Sequence, residues 1–257
     1  MDHLKEFSHR LASEPRKRFL NAETDLEHFA LINYALPPER LRPLIHPDFT
    51  LMTRKIAGTE MAMMSAVPFV DKDFCFTNLR ILGKYRFGQI NFRVYVLDPE
   101  GRHCVWFLGT VLGSITYHIP RRIWKMPWHH GRFEIDTDYR NNKYQRYQIN
   151  VTSKWATSRI DLQDSGEPYE LGAGFDSMDE MKLILTQPIE GYYYKTNRKL
   201  GNYRIWHDEL ILTKAEPNDL YFQVFEGLGL LSIEEMQNPH SVWITPKTYF
   251  KVELPPG

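Results

Sequence analysis

The chain has 257 residues, 42% of them hydrophobic, and 32 Lys plus Arg balance 32 Asp plus Glu. That is enough apolar material for a large core, and the zero formal charge supplies no net pull toward nucleic acid or an anionic membrane. Cys75 and Cys104 form no CxxC pair, which argues against a disulfide framework or a structural zinc and for two reduced, buried thiols. No apolar run approaches the ~20 residues of a membrane span, so the expectation is a soluble, cytoplasmic protein. One domain is expected over 1–257, with a peripheral helix within 1–20 and the core within 25–253.

In "MDHLKEFSHRLASEPRKRF", Leu4, Phe7 and Leu11 recur at helical spacing among charges that no signal peptide tolerates, and Pro15 ends the helix. "DLEHFALINYAL" (25–36) predicts a strand, and "PPERLRPLI" a short helix starting at Pro38. "TLMTRKIAG" and "EMAMMSAVPFV" predict strands separated near Gly58, the second buried on both faces, with the run 74–82 continuing the sheet. In "QINFRVYVLDPEGRHCVWFLGTVL", two hydrophobic runs flank Asp98-Pro99-Glu100-Gly101, a β-hairpin signal. Its first strand puts Ile90, Phe92, Val94 and Val96 on one face and Asn91, Arg93, Tyr95 and Leu97 on the other.

"GSITYHIPRRIWK" predicts a helical crossover that Pro120 limits to a broken or late-starting helix, and "GRFEIDTDY" with "KYQRYQINVTSKW" a hairpin turning at Asn141-Asn142. In "SMDEMKLILTQ", Ser177 and Glu180 form a capping box, with Met181, Ile184 and Leu185 facing inward. "GNYRIWHDELILT" reads as a strand. "EPNDLYFQVFEGLGLL" reads as a helix from Leu220, Val224 and Leu228, and "SVWITPKTYFKVEL" as a final strand. Many strands with few short helices predict an α+β, mostly antiparallel β chain, its sheet closed or strongly curved and its ends covered by helices.

No GK[ST] phosphate loop, complete GxGxxG, HExxH or GxSxG is present, so nucleotide hydrolysis, Rossmann cofactors, zinc proteolysis and serine hydrolysis lose support, and no cofactor is expected. His129 and His130 would point to opposite faces of a strand and cannot converge on one ion, so no metal site is expected unless one of them joins distant partners such as His118 or His207. Arg93 lies in a strongly hydrophobic strand and needs a partner if its face is covered. It could grip a ligand carboxylate beside Asn91 and Tyr95, lie on an exposed face, or pair internally with Glu60. Lys55, Lys125 and Lys195 are the lysines placed where desolvation could make one nucleophilic.

"FALINYALPPERLRPLIHPDF", "NFRVYV", "GRHCVWFLGTVLGS" and "RRIWKMPWHHGRFEI" follow one another in the order of the YqjF-like family of uncharacterised conserved proteins, which the chain resembles over roughly 25–250 and most specifically over 88–135. That family is similar in fold to acetoacetate decarboxylase, which implies an antiparallel sheet curled into a cone-like barrel around a cavity. The decarboxylase corner reads Arg-Glu-x-x-Gly-Tyr-Pro-Lys-Lys. Laying its Arg and Pro on Arg121 and Pro127 puts Trp128 and His129 where the lysine pair belongs, while Arg122 replaces the Glu and Lys125 falls out of register. The resemblance therefore implies the barrel without the Schiff-base lysine.

The leading expectation is a cavity that binds a small anionic or carbonyl-containing molecule, with Arg93, Asn91, Tyr95, Arg121, Trp128 and His129 as ligand-binding candidates and His129 as the one acid–base candidate. The alternatives are a lyase or decarboxylase using a displaced lysine, and a non-catalytic regulatory or interaction domain. Expected partners are a small molecule, not nucleic acid or membrane; a homo-oligomer is compatible with the sequence but not derivable from it.

Overall fold

The computed structural model describes residues 3–14, 21–77, 83–254 and 256–257, so the expected helix end at Pro15 and the strand continuation over 78–82 lie outside the described residues. The chain forms α1 (His3–Ala12), β1 (Ala22–Leu36), α2 (Pro38–Leu41), β2 (Thr50–Leu51), β3 (Thr53–Ile56), β4 (Thr59–Phe76), β5 (Tyr85–Leu97) and β6 (His103–Leu112). It continues through α3 (His118–Arg122), β7 (Trp128–Arg140), β8 (Lys143–Ser153), β9 (Ser158–Pro168), α4 (Met178–Leu185), β10 (Glu190–Tyr194) and β11 (Leu200–His207). The last elements are β12 (Thr213–Phe222), α5 (Gln223–Gly227), α6 (Ile233–Met236) and β13 (Ser241–Glu253). Among the described residues, no helix is long and apolar enough to cross a membrane.

The strands belong to one mostly antiparallel sheet that closes on itself twice. A ring of nine strands runs β6-β7-β8-β9-β12-β13-β1-β4-β5 and back to β6. A second, smaller ring runs β11-β10-β6-β5-β4-β1-β13 and back to β11. The two share the wall β13-β1-β4-β5-β6 and part where two strands change neighbours. Residues 105–107 of β6 pair with β10, and residues 110–112 with β7, both parallel. On β13, Trp243 and Ile244 pair with β12, and residues 250–253 with β11.

A wall shared by two rings has no solvent face, so both side-chain sets of its strands must be apolar or paired. On β5, Ile90, Phe92, Val94 and Val96 pack into the large ring with Trp106, Tyr147, Phe222 and Phe225. The alternate residues Asn91, Arg93 and Tyr95 face the small ring, as the expected period-two alternation requires. Two irregularities reset this alternation. On β6 the pairing steps from Phe92↔Gly109 to Arg93↔Phe107, leaving Leu108 as an extra residue. Before it Trp106 faces the large ring; after it Val111 does, so the parity of β6 reverses. On β1, His28 has φ 53 and interrupts the pairing, so Leu26 and Phe29 both reach the small ring.

Side chains pack much of the large ring, and a pocket lined by His28, Val70, Phe133 and Ile135 opens at one end of it. Gly109 shows how tightly: a Cβ there would overlap the indole of Trp155, whose ring lies 5.8 Å from Phe92. The hairpin at Asp98 forms as expected, with Gly101 at φ 79 donating its N–H to the Asp98 carbonyl at 2.9 Å. Asn141 and Asn142 have φ 55 and 57, the two positive values that a tight type I′ turn requires. Both cysteines are buried, as expected, and burial pushes the Cys104 thiol up to about 12.

Three expectations need correction. The helix expected over "EPNDLYFQVFEGLGLL" is β12 followed by the short α5: eight residue pairs with β9 outweigh the helical spacing, and Leu228 is exposed. The capping box at α4 is half formed. Ser177 accepts from the Glu180 N–H at 3.2 Å, but the Glu180 carboxylate turns to the Asp176 N–H and to Arg54. In α1, Phe7 and Arg10 are the buried residues and Leu4 is exposed, because Arg10 reaches across to the Gln187 carbonyl at 2.7 Å.

Candidate functional site

The small ring encloses a cavity of about 260 Å³. Its walls come from β1, β4, β5, β6, β11 and β13; the chain from Thr116 to Trp128, which carries α3, closes one side, and Thr186 at the end of α4 another. Most of the lining is aromatic or aliphatic, with Phe29, Phe69, Phe107, Trp124 and Phe250 among the largest groups. Tyr85 and Ile119, both exposed, mark its outer end.

Arg93 is 8% exposed and lines the cavity. Its Nη2 donates to the Leu185 carbonyl at 3.1 Å and to the Tyr95 hydroxyl at 3.3 Å, and Nε lies 3.5 Å from Ser65 Oγ. Among the described residues no carboxylate comes within 4.0 Å, and Nη1 has no hydrogen-bond partner. Neither the exposed face nor the Glu60 pair holds: Glu60 accepts from Thr53 at 2.6 Å. Tyr95 lies behind Arg93 rather than in the lining. Its hydroxyl accepts from Ser65 at 2.7 Å and lies 3.2 Å from both Asn33 Oδ1 and the Leu185 carbonyl.

Asn91 and Trp128 also line the cavity. Asn91 Oδ1 accepts from Thr110 Oγ1 at 2.7 Å and from Gln89 Nε2 at 3.0 Å, which orients its amide. Arg121 and His129 are outside the lining. Arg121 donates from Nη1 to the Trp128 carbonyl at 2.7 Å and so pins the corner. His129 lies against the other side of its strand, its ring stacked on Trp155 at 4.2 Å. Burial, then the Arg121 charge, lowers its pKa to about 4. The expectation that the two histidines diverge matches their surroundings, since His130 is exposed and its ring lies 5.3 Å from Tyr117.

Asp71 and His207 also line the cavity, and neither is among the sequence candidates for this site. Asp71, on β4, is 4% exposed; among the described residues its buried Oδ2 has no hydrogen-bond partner, and burial raises its pKa to about 7, partly offset by the Thr24 hydroxyl. His207, on β11, is 2% exposed and stacks on Phe250 at 4.5 Å. Its Nε2 lies 2.9 Å from the Thr186 carbonyl and its Nδ1 2.7 Å from that of Asp208. Burial lowers its pKa to about 4, and a neutral ring donates to only one of the two carbonyls. Among the described residues no lysine lines the cavity, and no group of three His, Cys, Asp or Glu side chains could hold a metal ion.

A closed sheet around an apolar, polar-tipped cavity defines an acetoacetate decarboxylase-like fold, and comparison with solved structures gives the same class. The enduracididine biosynthesis enzyme MppR complexed with pyruvate superposes with a TM-score of 0.59 at 10% identity, over 95% of this chain and 91% of that one. An acetoacetate decarboxylase-like enzyme from Sphingomonas wittichii RW1 gives 0.58 at 8% identity, over 91% of each chain. Acetoacetate decarboxylase from Legionella pneumophila gives 0.55 at 12% identity, over 95% of this chain and 91% of that one. At such identities the likeness is one of fold. The chain itself belongs to the DUF2071 family of uncharacterized conserved proteins, whose sequence model matches residues 23–248. No curated protein matches the sequence.

Proposed function

We propose that the chain binds a small carboxylate or keto acid in the small-ring cavity, with Arg93 as its anchor and without a Schiff-base lysine. The observation that carries this reading is Arg93 itself. A guanidinium taken out of water into a mostly apolar chamber, with no carboxylate within 4.0 Å among the described residues, is costly, and a ligand carboxylate would supply the missing charge by accepting from Nη1, the nitrogen not held by Leu185, Tyr95 or Ser65. Asn91, oriented by Gln89 and Thr110, stands on the same face to take a second polar atom. MppR, of similar fold, holds pyruvate, which has the same pairing of carboxylate and carbonyl.

The lysines do not favour covalent chemistry. Lys55 and Lys125 are exposed, and Lys195 is half-buried outside the cavity. A solvated ammonium keeps its proton and is a poor nucleophile at neutral pH.

Calorimetric titration with pyruvate, with and without borohydride, tests the reading. Binding that weakens at least tenfold in Arg93→Met, with no lysine labelled by borohydride, is expected. A stable pyruvyl-lysine adduct would instead restore the lyase reading, and pyruvate binding unchanged in Arg93→Met would remove Arg93 from the site.

A further inference from the structure

The cavity carries charged-type groups at two separated levels, Arg93 and Asp71; between them the β4 positions are apolar and the β5 positions carry the amides of Asn91 and Gln89, which bond to each other. The β4–β5 pairing runs without a shift from Ser65↔Arg93 to Asp71↔Phe87. Six residues of strand at roughly 3.3 Å each separate the Arg93 level from the Asp71 level by about 20 Å. Ser65, Val67, Phe69 and Asp71 fall on one face of β4 by alternation, and Phe87, Gln89, Asn91 and Arg93 on the matching face of β5. Leu26 and Phe29 of β1 and Phe250 of β13 add apolar wall.

A pyruvate-sized ligand at Arg93 would leave most of this wall facing water. Dividing the cavity volume of about 260 Å³ by the ~30 Å³ that a water-sized group occupies in a liquid gives room for about nine methylene-sized groups. At the far level, Asp71 is almost fully buried, and among the described residues its Oδ2 has no hydrogen-bond partner. Such an atom is a vacancy for a hydrogen bond from an occupant.

We propose that the occupant is a medium-chain amphiphilic acid: its carboxylate on Arg93, its aliphatic body along Val67, Phe69 and Phe29, and a neutral hydroxyl or oxo group near its far end on Asp71. This rests on the reading of Arg93 as the carboxylate anchor. Burial supports the polar end too, because a carboxyl still partly protonated at neutral pH can donate as well as accept. A cationic far end is not required.

The test is calorimetry on the full chain with pyruvate, hexanoate, decanoate, undecanoate and ω-hydroxydecanoate. Affinity is expected to rise about fourfold for each added methylene up to decanoate, the gain from burying one CH₂. ω-Hydroxydecanoate is expected to bind at least fivefold tighter than undecanoate, its apolar isostere. That preference should persist in Asp71→Asn, which still hydrogen-bonds, and vanish in Asp71→Leu. Pyruvate binding as tightly as decanoate, both depending on Arg93, would overturn the amphiphile and leave the anchor standing. Acid binding that is absent, or indifferent to Arg93→Met, would overturn both. A hydroxyl preference surviving in Asp71→Leu would remove Asp71 from the far end.

Discussion

The Nη2 of Arg93 donates to the backbone carbonyl of Leu185 at 3.1 Å, joining the middle of β5 to the last residue of α4 across 92 positions of sequence. A neutral carbonyl orients the guanidinium without cancelling its charge, so the positive end stays available to the cavity.

Replacing Arg93 should therefore separate binding from stability. Methionine adapts its shape to the same space and removes a buried, uncompensated charge, so Arg93→Met is expected to match the wild type or to be more stable by about 1–2 kcal/mol while losing carboxylate affinity. Urea titration beside calorimetry measures both. A variant destabilised by several kcal/mol would show that the guanidinium is structural.

Stability should also carry the signature of Asp71. Burial lifts its pKa from 3.8 to about 7, so the folded state keeps a proton that the unfolded chain has already released. The stabilisation is complete below the unfolded value and is lost as pH rises through about 7. Asp71→Asn is expected to shrink the stability difference between pH 5 and pH 8 by about 2–3 kcal/mol, as read from urea midpoints. His207 and His129 act in the opposite sense: both are lowered to about 4, and their contribution is complete above the ordinary 6.5 and lost as pH falls through about 4.

His129 makes a ring contact with Trp155 and does not line the cavity. His129→Phe keeps an aromatic ring, so it should change stability by less than about 1 kcal/mol and leave pyruvate affinity unaltered. Loss of binding in this variant would return the residue to the site.

Gly109 lies beside the parity reversal on β6, and Trp155 fills the space its missing side chain leaves. Gly109→Ala should cost about 1–3 kcal/mol through overpacking, and much of that should be recovered when Trp155→Phe is added. Thermal melts of the two single variants and the pair decide it. Additive losses would mean that the indole is not the obstacle.

The hairpin at Asp98, the faces of β5 and the divergence of His129 and His130 were legible because each follows from local turn chemistry or from strict alternation. Arg93 was legible for the same reason: a cation inside an apolar strand stands out. The parity resets at Leu108 and His28 were not, because an extra residue in a strand leaves no mark on composition and depends on pairing with a distant segment. β9 carries no clear strand pattern of its own and most of β12 reads as helix, since their identity comes from pairing with each other. Asp71 sits in "VDKDF", where a carboxylate looks solvated; only closure of the small ring buries it. Arg121 and His129 are candidates through the resemblance to the decarboxylase corner, but Arg121 sits in α3 and turns to the Trp128 carbonyl, while alternation along β7 sends His129 to the side opposite Trp128.

β13 is a member of both rings, meeting β12 near its start and β11 near its end. Neither chamber can therefore be sealed by a polypeptide that lacks residues 241–253. A nascent chain still inside the ribosomal tunnel at that point would expose the apolar linings of both, which makes closure by this strand the step at which chaperone dependence should end.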